Sequence, residues 1–186
     1  MGEYRAQNAG DRDVTVSLAD FDRRQIRLPE DRAALLECHC ELIYESDAPR
    51  AREAPYERYR EKWLSTPQPD QFLTSLERSL ADASTIADLW WDGGEAVAYL
   101  WVVFGEFGGY GMSYGEVNEI WVAHARRRQG LGVQLVRLAE AAAREAGAAV
   151  LRWTAGAENK ASQELVMRQG FSSIQVTFEK RVTPDG

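Results

Sequence analysis

The stretch from Glu116 to Ala155 constrains this chain more than any other. Glu116 to Ala123 reads as a strand, and the basic turn Arg126-Arg127-Arg128 follows it. Gln129-Gly130-Leu131-Gly132 then runs directly into a helix, with Leu131, Leu135, Leu138 and Ala142 along one side and Gly147 as its stop. Ala149 to Ala155 reads as a strand again. A strand–helix–strand unit returns the chain in the same direction, which makes its two strands a parallel pair. Upstream, Thr85–Trp91 and Glu95–Phe104 flank Asp92-Gly93-Gly94, a tight-hairpin signal that makes those strands antiparallel. Both patterns in one chain predict an α/β fold of the α+β type. Its sheet is mixed and mostly antiparallel, with one parallel pair.

The remainder supplies helices and short flanking segments. Gln25–Leu28 is a short strand candidate, and Pro29 opens a helix as its first residue, with Glu30 and Asp31 in the first turn. Leu35, Cys38 and Leu42 form one apolar line of that helix; Leu36, Cys40 and Ile43 form the next. A second helix follows Pro55, with Tyr56, Tyr59 and Trp63 on one face. A third is capped by Asp70 and carries Phe72, Leu76 and Leu80. Asn159–Arg168 is a short helix ended by Gly170, and Ile174, Val176 and Phe178 alternate in a last strand. Residues 1–22 are polar and aperiodic and are assigned to a flexible arm; residues 23–186 form a single domain, a size that buries a core without disulfides or metal.

Charge and cysteine usage exclude several function classes. Lys and Arg total 22 against 29 Asp and Glu, for a net charge of −7, so a nucleic-acid partner is not expected. Cys38 and Cys40, the two cysteines, lie two apart on a helix and point to different faces, so they do not pair. Cys38-His39-Cys40 falls short of the four ligands of a closed zinc site and reads as buried helix packing; no metal is expected. There is neither a signal peptide nor an apolar run long enough for a membrane span, which places the chain in the cytoplasm with no membrane partner.

The chemistry is concentrated where the 116–123 strand turns into the helix. Small residues at a helix N-terminus let an anion approach unpaired backbone N–H groups, the helix dipole adds partial positive charge, and nearby arginines add full charge. This is a phosphate or pyrophosphate cradle. A dinucleotide fingerprint requires a third glycine where Leu135 stands, and an acidic residue in the next strand, which Leu151–Ala155 lacks. No Gly-Lys-Ser/Thr is present for a P-loop. Gly111-Met-Ser113-Tyr-Gly115 matches the spacing of a hydrolase nucleophile elbow, but a strand follows it instead of a helix, and no histidine lies far downstream.

Arg127-Arg128-Gln129-Gly130-Leu131-Gly132 resembles the acyl-CoA-binding motif of the GNAT superfamily of N-acetyltransferases. Glu119-Ile-Trp-Val122 is similar to the end of that family's fourth strand, with His124 where proline is common. Asn159, Ser162, Leu165, Gly170 and Phe171 resemble the family's downstream signature, and the likeness covers roughly Thr85 to Lys180. It implies a GNAT-like sheet with a splayed parallel pair and helices on both faces. It also implies N-acetyl transfer from acetyl-CoA to a primary amine of a small molecule or peptide. The pyrophosphate would lie on Arg128, Gln129, Gly130, Leu131, Gly132 and Val133, with Arg127 nearby. The pantetheine arm would run along Ile120, Trp121, Val122 and Ala123, and Asn159 and Ser162 would contact the coenzyme.

A backbone N–H of Val122 or Ala123 would bind the thioester oxygen. Glu119 and Glu116 are the candidate general bases; residues three apart on a regular strand face opposite ways, and Glu119 is favoured. Valine at 166 departs from the family's tyrosine acid, so Ser113, Tyr110 or Tyr114 could substitute, or the thiolate leaves unaided. The same departure motivates an alternative, a non-catalytic acyl-CoA-binding or interaction module. Tyr44, Glu45, Tyr110 and Tyr114, with Glu41, Asp47, Tyr56, Tyr59 and Trp63, are assigned to an acidic, aromatic acceptor wall suited to a cationic amine. The fold class allows a homodimer, although no sequence feature specifies one.

Overall fold

A computed structural model of the chain describes residues 16–46, 54–107 and 111–175. Strand β1 (Asp22–Gln25) precedes helices α1 (Arg32–Ser46), α2 (Tyr56–Leu64) and α3 (Gln68–Leu80). Strands β2 (Ile86–Asp92), β3 (Glu95–Phe107) and β4 (Met112–Val122) follow, then α4 (Leu131–Glu145), β5 (Val150–Trp153) and α5 (Lys160–Arg168). The sheet order is β1-β2-β3-β4-β5. Every pair is antiparallel except β4–β5, which is parallel. The mixed α/β architecture expected from the hairpin and the strand–helix–strand unit is therefore the observed one. No helix among the described residues is long and apolar enough to cross a membrane.

Two apolar layers sandwich the sheet. On one face Leu35 and Cys38 of α1 and Phe72, Leu73 and Leu76 of α3 pack against Leu89, Tyr99, Trp101 and Trp121. On the other, Leu131, Leu135 and Ala139 of α4 pack against Trp90, Leu100, Val102 and Val117. The β2–β3 turn has positive φ at both central residues, Gly93 (58°) and Gly94 (97°). Both turn positions must be left-handed for the strands to leave with their natural twist, which is why two glycines occupy them.

Several boundaries differ from the sequence reading for identifiable reasons. Pro29 is not the first residue of α1. It lies in the preceding turn, where its carbonyl accepts from the Arg32 N–H at 3.0 Å. Asp31 starts the helix instead: its backbone carbonyl accepts from Leu35 N, and its carboxylate accepts from Arg27 N and from both terminal nitrogens of Arg24. Asp70 does not cap α3, which begins at Gln68; its carboxylate pairs with Arg32 at 3.0 Å. The first strand lies at 22–25, earlier than 25–28. Residues 16–22, assigned to the arm, are docked: Leu18 is buried, and the Gln134 side chain bonds both Leu18 N (2.9 Å) and Val16 O (2.8 Å).

Strand β4 begins at Met112, so Met112 to Gly115 of the elbow-like segment belong to the sheet. Gly105 is the register partner of Tyr114, and the Tyr114 ring covers it so closely that a Cβ there would meet the phenol oxygen at 2.9 Å. Ser113 lies within this strand and donates to Gly147 O at 2.8 Å, which removes the hydrolase-elbow geometry. Residues 171–175 form no strand. Val176 and Phe178 of the expected last strand lie outside the described residues, as does Tyr110.

Asp31 is 1% exposed and receives three hydrogen bonds. Replacing it with alanine leaves the Arg24 guanidinium and the Arg27 N–H without their acceptor. D31A is expected to lower unfolding free energy by about 3 kcal/mol. A shift of the urea midpoint at unchanged slope checks this.

Candidate active site

Strands β4 and β5 pair only from Tyr114↔Val150 to Val117↔Trp153. Beyond that point β5 ends, while β4 continues for five more residues. Its freed edge forms one wall of a cleft of about 470 Å³, bounded also by the start of α4, the C-terminal end of α1, and α5. Ile120, Trp121 and Val122 line it. Ala123 does not: its N–H is bonded to Val97 O on β3 at 3.0 Å. N–H directions alternate along a strand, so Val122 and Ile120 turn theirs toward the open edge. The Val122 carbonyl, which points the same way, accepts from Arg127 Nε at 2.9 Å.

The mouth of the cleft is the start of α4. Arg128 (φ 64°) and Gly130 (φ 87°) are left-handed, and Gly130 caps the helix with no side-chain hydrogen bond to the first turn. The first-turn N–H groups have no partner inside the helix. Arg128, Gly130, Leu131, Gly132 and Val133 line the cleft. Gln129 does not; its amide nitrogen donates to Ala125 O at 3.2 Å. Gly132 faces α5, and a Cβ there would stand 3.3 Å from Leu165 Cδ2, so a side chain at 132 enters the cleft. Asn159 caps α5 by accepting from Ser162 N (3.0 Å), and Ser162 Oγ accepts from Trp153 Nε1 (3.0 Å). Both residues line the cleft.

The arginines of the turn are unequal. Arg126 pairs with Asp92 across the sheet end. Arg127 donates to Glu41 at 2.9 Å and to Glu45 at 2.5 Å, which ties α1 to the mouth. Arg128 is exposed and forms no ion pair among the described residues, which leaves its charge facing the cradle. Glu41 also accepts from Trp121 Nε1 at 2.9 Å. Burial pushes the Glu41 carboxyl above its ordinary range, and outweighs Trp121 and Arg127, which pull it down. The expected acidic wall is thus largely neutralised from within. Tyr44 donates to Ala54 O and packs on Tyr56 and Tyr59 rather than lining the cleft.

The register of β4 contains one irregularity. Trp101 pairs with Glu119 while its neighbour Val102 pairs with Val117, so Asn118 is an extra residue in a bulge. Val117 packs under α4, whereas Glu119 is carried to the α1 face. Glu116 is opposite Val103, which packs on the same α1 face. The bulge therefore puts Glu116 and Glu119 on one face, contrary to the three-apart rule for a regular strand. They remain separated along it: Glu119 lines the cleft and Glu116 does not. Tyr114 also lies away from the cleft, its ring 4.7 Å from Phe107 and beneath Arg152.

Glu119 is 9% exposed. Its Oε1 lies 2.6 Å from His39 Nδ1, and its Oε2 is buried with no partner among the described residues. The Tyr99 phenol is held well above its ordinary pKa by burial first, and then by the charge of Glu119. Burial, reinforced by Glu41, Glu119 and Glu37, also pushes the Cys38 thiol up; Cys38 and Cys40 are both free. His39 was read as packing within Cys38-His39-Cys40. Its true partner lies 80 positions away, and no local pattern signals it.

A family model described as the Acetyltransferase (GNAT) family matches residues 48–171, and the chain belongs to that family. No curated protein sequence matches it. Solved structures share its fold. A transcriptional regulator from Bacillus halodurans C-125 aligns with TM-score 0.63 and 19% identity, over 87% of this chain and 99% of that one. An aminoglycoside antibiotic 6'-N-acetyltransferase from Acinetobacter haemolyticus aligns at 0.57 and 20%, with the same coverage. Glucosamine-6-phosphate N-acetyltransferase from Arabidopsis thaliana aligns at 0.58 and 15%, over 88% of this chain and 99% of that one.

The two arginines make separable demands. R127A removes a cation shared by two carboxylates and is expected to cost about 1–2 kcal/mol of stability, discounted for partial exposure. R128A is expected to change stability by less than about 0.5 kcal/mol. Thermal or urea unfolding of the two variants distinguishes a strut from a free charge.

Proposed function

We propose that this protein transfers an acetyl group from acetyl-CoA to a primary amine of a small molecule or peptide, acting in the cytoplasm. The observation that carries the reading is the freed β4 edge beyond Val117, opening beside an uncapped, glycine-led helix start. That pairing suits one ligand shape: a pyrophosphate joined to a long arm rich in amides. The α4 first turn and Arg128 would hold the phosphates, and the Ile120 and Val122 backbone the arm. Asn159 and Ser162, which line the opposite wall, would flank it. Acetyl-CoA supplies the activated thioester.

Glu119 is the proposed base. Its Oε2 accepts one proton from the acceptor ammonium, and the freed nitrogen lone pair forms the C–N bond at the thioester carbonyl. The Val122 N–H points to the open edge and donates to the oxyanion that develops there. The C–S bond then breaks, with its electrons on sulfur, and the surplus proton on the new amide nitrogen passes to solvent. No tyrosine, cysteine or lysine lines the cleft among the described residues, and Val166 is buried. The thiolate therefore departs unaided, which a thiol pKa of about 8.5 permits.

Isothermal titration with acetyl-CoA tests the coenzyme site. Wild type is expected to bind; R128A is expected to bind about 10-fold more weakly. G132W, confirmed folded by circular dichroism, is expected not to bind, because its side chain enters the cleft. A thiol-release screen over a polyamine, an aminoglycoside, an amino acid and a peptide N-terminus tests transfer. E119Q is expected to lower kcat by about 100-fold with KM little changed. Binding without turnover on any amine would replace this reading with the non-catalytic coenzyme-binding module.

A further inference from the structure

Glu119 is an awkward base. A carboxylate 9% exposed has lost most of its water, and a buried charge is held only where hydrogen bonds replace the lost solvation. Among the described residues, His39 Nδ1 at 2.6 Å makes the one hydrogen bond to it that meets full geometry, and the buried Tyr99 hydroxyl, which has no partner of its own, also faces it. A carboxylate only accepts, so this nitrogen carries the proton. The imidazole belongs to α1, outside the cleft, and its plane is fixed from two further elements. It stacks on Phe72 of α3 at 3.9 Å and 11°, and tilts against Trp63 of α2 at 5.6 Å. Three helices thus converge to aim one N–H at one oxygen.

Of the titratable groups around Glu119, His39 is the one that holds it by a hydrogen bond of full geometry. From α2 and α3 the facing groups are Trp63 and Phe72, which do not titrate. From β3 comes Tyr99, whose phenol stays protonated at any ordinary pH. On α1, the Cys38 thiol is likewise pushed up by burial. Glu37 is paired with Arg60, and Glu41 with Arg127. On β4, Glu116 shares the face but stands outside the cleft, and His124 lies exposed beyond the end of the strand.

We infer that His39 is a positioning residue: its Nδ1–H holds Glu119 in one orientation, so that Oε2 is presented to the proton of the acceptor amine. This rests on Glu119 acting as base under the proposed function. His39 touches neither substrate, and its effect passes through Glu119. Removing the donor frees the carboxylate to rotate away from the acceptor, so kcat falls while acetyl-CoA binding is kept.

The test compares wild type, H39N and H39F in thiol release from acetyl-CoA across pH, with whichever amine of the screen turns over fastest. H39F keeps the stack on Phe72 but has no donor; H39N keeps a donor near the Nδ1 position but has no titrating ring. H39F is expected to lose about 10- to 100-fold in kcat, with KM for acetyl-CoA within about 3-fold. H39N is expected to recover most of kcat. The chain has two histidines, so nitrogen-15 NMR at pH 9, with H124A for assignment, reads the tautomer directly. Protonated Nδ1 on His39 is expected. A wild-type kcat in H39F, or protonation at Nε2, overturns the inference while leaving acetyl transfer intact. No thiol release from wild type overturns both.

Discussion

The extra residue at Asn118 is the constraint on which the rest of the structure depends. A regular β4 would keep Val117 and Glu119 on the same face. The bulge leaves Val117 under α4, where it seals the lower core, and rotates Glu119 to the face covered by α1 and α3. The irregularity also coincides with the end of β5. Past it, β4 bonds only one neighbour, and its other edge opens into the cleft. A buried carboxylate at the cleft and an exposed backbone edge thus arise from a single local defect in an otherwise continuous ladder.

Holding that defect open requires the surrounding elements to be tied to it. Arg127 joins the β4 carbonyl at 122 to Glu41 and Glu45, which fixes the C-terminal end of α1 beside the cleft mouth. Glu41 closes the loop through Trp121. Arg127, which the sequence motif suggests as a phosphate ligand, lines the cleft and is also a brace, while Arg128 beside it carries the free charge. The cleft combines a cationic, glycine-led mouth with an acidic interior at Glu119, a polarity suited to an anionic carrier entering and an ammonium losing a proton.

Legibility in the sequence follows the range of the signal. The glycine hairpin, α4 with its stop at Gly147, and Asn159 as the cap of α5 all rest on neighbours within a few residues. They stand where local pattern places them. Asp31 and Pro29 misled because a caged carboxylate, and not the proline, begins α1. The faces of Glu116 and Glu119 could not be read from period two, since a bulge leaves no mark on periodicity. The partners of His39 and Arg127 escape the sequence for a common reason. Each is defined by partners about 80 residues away, and on a single helix or turn each looks like packing or free charge. Tyr114 looked like an acceptor wall but covers Gly105, a cross-strand pairing visible only once the register is known.

The central claim is that the open β4 edge and the first turn of α4 together receive the coenzyme. Backbone amide NMR of nitrogen-15-labelled protein, titrated with acetyl-CoA, tests it most directly. The account predicts that the largest shifts fall on Ile120, Val122 and Leu131 to Val133, with the Ala123 amide changing little because Val97 already holds it. Shifts that spare these amides and gather elsewhere, such as the shallow depression lined by Pro67, Asp70 and Arg78 on α3, would contradict it.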